Sequence, residues 1–174
     1  MKSYWLRYLL IILSFFISFN VNSKSKIEKN IILTASIDST KFFSYSIKEF
    51  YFEDQELVID VDYEKNVLED KKTNLVIKTD VPSFFPSGYN IEASKLSSKC
   101  YRTTGEEIND FAKYFIGGVE LKKDIPVKFD DFTKKDEFLW IRKNFEVKFS
   151  SLSGFDLHSS RCSGEVILRA QLDF

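Results

Sequence analysis

The sequence predicts an all-β protein, an antiparallel sandwich or barrel, and three observations carry that expectation. Short segments alternate apolar and charged residues with period two. Phenylalanine is abundant at 18, while glycine and proline number only six and three. Clusters of small and polar residues separate the segments. Period two marks a pleated strand with one buried face, and aromatic side chains suit half-buried pleated surfaces.

Along the chain, the first such segment spans residues 27–38. Ile27, Ile31, Leu33, Ala35 and Ile37 share a face, broken only by Lys29, with Glu28, Asn30, Thr34 and Ser36 opposite. Next, Leu57, Ile59, Val61 and Tyr63 lie on one face, and Asp60, Asp62 and Glu64 on the other. The pattern returns at Leu75, Ile77 and Thr79, at Ile125, Val127 and Phe129, and at Phe145, Val147 and Phe149. The last segment, 163–174, puts Val166, Leu168, Ala170, Leu172 and Phe174 on one face, with Ile167 the exception among the polar residues opposite. Turns are expected at Pro82-Ser83, Pro86-Ser87-Gly88, Thr103-Thr104-Gly105 and 151–154. One stretch departs from this rhythm. In 106–116, Ile108, Phe111, Ala112 and Phe115 fall at spacings of three, four and seven, which predicts one short helix.

The chain begins with the marks of an export signal. Lys2 and Arg7 are followed by the apolar run 8–19 and a small-residue cleavage site at Val21-Asn22-Ser23, which assigns 1–23 as a signal peptide and Lys24 as the mature start. The run is shorter than the roughly 20 apolar residues of a comfortable membrane span, so an uncleaved anchor is the weaker alternative. About 150 residues then remain, enough for one domain with a real core. Losing Lys2 and Arg7 moves the net charge from −1 to −3, and mild acidity leaves no footprint for nucleic acid.

Chemistry-bearing residues are few. Cys100 and Cys162 are the two cysteines. In an oxidising compartment they read as a disulfide rather than a metal site, with two separate buried thiols as the alternative. His158 is the single histidine, so no zinc set can be completed. The sequence holds no catalytic motif and calls for no cofactor. Cys100 with His158 as nucleophile and base gives way to the disulfide. Asp60, Asp62 and Glu64 stand nearly 7 Å apart along a strand face, a solvated surface rather than a calcium cage. Asp130 and Asp131 point to opposite sides of a strand and make no carboxylate pair.

Residues 27–38 (IEKNIILTASID) carry a resemblance. They are similar to the mature N-terminus of alternate chaperone–usher pilins, the colonization-factor-antigen type of fimbrial subunit. Ser163-Gly164-x-Val166-x-Leu168 is similar to that family's last strand. The resemblance implies an immunoglobulin-like incomplete sandwich, with 24–39 as an N-terminal donor-strand extension and 40–174 as the pilin domain. A periplasmic chaperone first fills the open groove, an outer-membrane usher handles export to the cell surface, and another subunit's donor strand then replaces the chaperone. Ile27, Ile31, Leu33, Ala35 and Ile37 match the donor positions. Val166, Leu168, Ala170, Leu172 and Phe174 match the acceptor wall and chaperone edge. Lys29 also stands where the family has Lys. The implied role is a structural fimbrial subunit rather than an enzyme, with pilins as partners and adhesion to a host-cell receptor as an added role. Departures are Ser39-Thr40 where the family has proline, the Cys100–Cys162 pair, and a charged, Phe-rich middle. A second class of function competes: a monomeric exported β-barrel or sandwich that binds a small apolar ligand in an aromatic pocket.

Overall fold

The computed structural model describes residues 30–37, 45–102, 104–152 and 155–174. The signal peptide, Ile27, Lys29, the hinge residues Ser39-Thr40 and the Thr103 and 153–154 turn positions lie outside the described residues. Among those described, fourteen strands follow one another and no helix occurs. They are β1 (Asn30–Ile37), β2 (Ile47–Phe52), β3 (Glu56–Val58), β4 (Val61–Asp62), β5 (Val67–Leu68), β6 (Lys71–Pro82) and β7 (Gly88–Arg102). Then come β8 (Glu107–Asn109), β9 (Ala112–Ile116), β10 (Val119–Glu120), β11 (Val127–Phe129), β12 (Thr133–Lys135), β13 (Phe138–Phe149) and β14 (Ser160–Asp173).

Two six-stranded sheets make a sandwich. The first runs β11-β7-β14-β1-β3 with β8 on β7, and the second runs β10-β9-β13-β6-β2 with β12 on β13. The predicted alternation builds the layer between them. Leu75 and Ile77 of β6 and Phe145 and Val147 of β13 face Ile91 of β7 and Val166 and Leu168 of β14, all fully buried in one cluster. The Phe52 and Phe145 rings meet edge-on at 4.9 Å, and the Tyr114 hydroxyl donates across the layers to the Ser97 carbonyl at 2.8 Å. Cys162 stands opposite Cys100 in the β7–β14 ladder, and the two form a disulfide.

Two expectations need correction. The predicted helix in 106–116 is a pair of strands. Ile108 pairs with Cys100 in the first sheet, and after Asp110, where φ is +55°, the chain enters the second sheet as β9. In β9 it is Tyr114 and Ile116 that are buried, with period two, and Phe115 faces away. Aromatic and β-branched residues such as Tyr114, Phe115 and Ile116 favour a pleated surface over a helix. Likewise, Leu57 to Tyr63 is not one strand. Leu57 lies in β3, Ile59 drops into the core, and β4 pairs with β5 as a small separate hairpin. The outward acids take local partners, Asp60 with Lys71 and Asp62 with Lys65 at 2.9 Å.

Candidate functional site

The groove beside the last strand is where both ends of the described chain meet. β14 pairs along one edge with β7 and along the other with β1. The β1 pairing is parallel and in register from Asn30↔Ser163 to Ile37↔Ala170. Alternation then sorts the side chains. Ile31 and Leu33 point into the core at 3% and 5% exposure, Ala35 is half-buried, and Ile32 is 58% exposed beside Thr34 and Ser36. Burying Ile31 and Leu33 contributes about 1.5–3 kcal/mol each before the cost of ordering the strand. Ile27 is outside the described residues, and Ile37 is placed only by its backbone pairing with Ala170.

The facing wall comes from β14. Val166, Leu168, Ala170 and Leu172 are buried, as their alternation predicts. Leu33 sits opposite Val166 and Ala35 opposite Leu168. Ser36 reinforces the register by donating its hydroxyl to the Leu168 carbonyl at 3.2 Å. Gly164 stands opposite Ile31 for a steric reason. A Cβ there would come within 2.9 Å of the Ser97 carbonyl and 3.3 Å of both Ile31 Cγ1 and the Tyr114 hydroxyl. The glycine of the Ser-Gly-x-Val-x-Leu motif thus lets β14 lie close to the Ser97 carbonyl first of all, and leaves space for the Ile31 side chain as well. Phe174 lies past the end of the β1 register and stays 45% exposed, its ring near Tyr45 at 6.4 Å and Phe85 at 5.9 Å.

The outer side of β1 is only partly closed. Its antiparallel register with β3 covers Asn30 to Ile32, and the Leu33 amide donates to the Gln55 carbonyl at 3.1 Å. Beyond that, an open concavity of about 500 Å³ lies between Ile32–Ala35 and Phe50–Phe52 of the opposite sheet. Beneath Ile31 is a small apolar cavity of about 10 Å³, lined by Ile59, Leu68, Phe111 and Phe149 among others. That is room for about one water, far below the 300 Å³ or so at which ligand pockets begin.

Sequence reasoning missed two parts of this region. Leu57 of β3, taken above as part of a longer strand, pairs with Ile31 and closes the far wall. The Tyr45–Phe85–Phe174 ring cluster at the end of the groove was also unforeseen. Its signal was present, since Phe84-Phe85 sits between Ser83 and Pro86 in a turn that ought to be polar.

The catalytic pairing of Cys100 with His158 finds no geometry. Cys100 is in the disulfide, and the His158 ring stacks on Tyr63 at 4.4 Å. Among the described residues, no group of three or more His, Cys, Asp or Glu side chains is placed to hold a metal ion.

Compared with known proteins, no family model and no curated protein matches this chain. Among solved structures, the fold is similar to that of the CooA pilin subunit from enterotoxigenic Escherichia coli. The identity is 10% and the TM-score 0.43, over 64% of this chain and 86% of that one.

Proposed function

We propose that this chain is an exported subunit of a surface fibre, joined to its neighbours when the N-terminal strand of one copy fills the groove of another. The observation that carries this reading is the seat of β1. A strand at one end of the chain, separated from β2 by nine residues, fills a slot whose inner wall is Val166, Leu168 and Ala170. The slot has a glycine, Gly164, at the position facing Ile31. In the single chain that strand lies in its own sheet, so the fibre requires it to leave for the equivalent slot of a sister copy. Swapping an identical element between protomers reuses contacts that already exist, which makes it a low-cost route to assembly. An emptied slot exposes apolar surface and unpaired backbone. Export therefore calls for a chaperone to cover it and an outer-membrane usher to pass subunits on, as the sequence resemblance implies.

The competing apolar-ligand reading gains nothing from the small cavity beneath Ile31, whose volume is about 10 Å³. Two batches of the full exported chain, carrying different affinity tags, test the fibre reading when mixed and concentrated. Capture of one tag should bring down the other increasingly with time and concentration, and electron microscopy should show filaments. Leu33→Asp, which puts a charge on the inserting face, should abolish both. A chain that stays monomeric at every concentration, with β1 amides as protected from hydrogen exchange as those of β7, overturns the proposal.

A further inference from the structure

The end of the sandwich where β6 turns into β7 keeps a group of aromatic rings in water. Phe84 is 81% exposed in that turn. Phe85 beside it meets the Tyr45 ring at 5.6 Å and the Phe174 ring at 5.9 Å. Phe138, opposite Pro82 in the β6–β13 ladder, is exposed as well. A concavity of about 590 Å³ opens among Phe84, Phe85, Phe132 and Phe174, with Lys134 and Asp130 also lining it. Single exposed rings are ordinary, but a contiguous cluster marks an interaction surface. Aromatic residues are also the ones enriched at the core of protein interfaces.

The place of Tyr45 in that cluster says what covers it. Tyr45 stands where the described chain resumes after β1, eight Cα steps beyond Ile37. Eight steps span at most about 28 Å. Whichever body holds β1 in its groove is therefore leashed to within that distance of the aromatic pole, regardless of the direction in which the strand lies. A tether this short keeps the two surfaces at an effective concentration of order millimolar, so even a weak contact is populated.

We propose that this pole, built from Phe84, Phe85, Phe138 and Phe174 around Tyr45, is the docking face for a second copy of this chain, the copy that has received its β1. The inference rests on the fibre reading and adds a second interface to it. The strand supplies the joint, and the aromatic face sets the angle at which successive bodies meet and speeds the capture of the next one. Phe84 bears most of the contact, because at 81% exposure its ring has most to gain by leaving water, and Phe138, 45% exposed like Phe174, adds to it from the neighbouring strand β13.

The test uses the mixed-tag exchange assay on the full chain, with Phe84→Ser, Phe138→Ser and the double variant, each checked by its melting temperature. Both positions are exposed, so either single variant serves if the other melts early. The double variant should still exchange strands, but about tenfold more slowly, and its filaments should show a wide spread of angles between successive bodies. Unchanged rate and unchanged filament straightness, with Leu33→Asp still blocking exchange, would leave the strand joint standing and overturn the docking face. Loss of binding to arrayed oligosaccharides with assembly untouched would overturn it too, and would assign the concavity to a glycan. If the unaltered chain never exchanges strands, the fibre reading itself fails and this face falls with it.

Discussion

β14 has two edges, and they are made differently. Against β7 it forms an antiparallel ladder from Ser160↔Arg102 to Asp173↔Gly88, running the whole length of the strand and crossed by the Cys100–Cys162 disulfide. Against β1 it forms a parallel ladder of eight residues with no covalent link, backed by the three-residue strand β3. Parallel pairing is slightly weaker per residue. The difference teaches that the two sides of one buried strand can be fastened by different means, a full-length ladder with a covalent cross-link on one side and packing with hydrogen bonds alone on the other. Leu168 looks inward from both ladders, with Ala93 across the cross-linked one and Ala35 across the one that carries no covalent link.

The strongest way to break that comparison is to cut the covalent link. The disulfide closes a sequence separation of 62 residues, for which the chain-entropy account gives about 4 kcal/mol. Reduction, or replacing both cysteines by serine, should lower the melting temperature by about 10 °C or more for a domain of this size. Calorimetry with and without reductant measures it. A shift of only a degree or two would mean that the β7 edge owes little to its bridge.

A sharper test pits one leucine against another. Leu168 and Leu33 are both buried, on β14 and β1 respectively. Leu168→Ala should cost about 3 kcal/mol and speed amide exchange throughout β7, β13 and β14. Leu33→Ala should release mainly the amides of 31–36 and leave the global melting temperature within about 2 °C, because local opening draws on a smaller free energy than unfolding. Hydrogen exchange read by mass spectrometry separates the two patterns. Equal global effects would make β1 an integral strand and end the comparison.

What the sequence made legible follows the same division. The inner face of β14 and the face of β1 carrying Ile31, Leu33 and Ala35 could be read directly, because period two survives wherever one side of a strand meets the core. Partners could not be read. Nothing in residues 56–58 says that Leu57 will pair with Ile31, since pairing between distant segments is set by the whole sandwich rather than by either segment. The 106–116 stretch misled because two short strands, broken by the left-handed Asp110, happen to space Ile108, Phe111, Ala112 and Phe115 like a helix face. The aromatic pole was not legible because Pro82 and Pro86 mark a turn, and a turn is expected to be polar and to carry no ring cluster.

The smallest expected effect concerns the far flank of the first sheet, where β11 is the edge. There the two layers are tied by charge. Lys143 of β13 lies over the Phe129 ring at 3.9 Å and ion-pairs with Asp131, which also accepts the Tyr89 hydroxyl at 2.9 Å. Burial works to raise the Asp131 carboxyl, but Lys143 and the Tyr89 hydroxyl outweigh it and hold it below the usual aspartate range. A carboxyl whose folded pKa is depressed stabilises the fold fully at neutral pH, and that contribution fades as acid carries the solution down through the folded pKa. The Asp131 side chain is half exposed, so solvent limits the gain to under about 1 kcal/mol. Asp131→Asn should therefore melt about 2 °C below the unaltered chain at pH 7, and the gap should close as the pH falls below the ordinary aspartate range. Exchange of the β1 amides should be indifferent to the substitution at any pH, because that edge is held by Ile31 and Leu33 and not by charge. A melting gap that persists undiminished down to about pH 2 would show that Asp131 acts through packing, and the contrast between a charged flank and an apolar one would be lost.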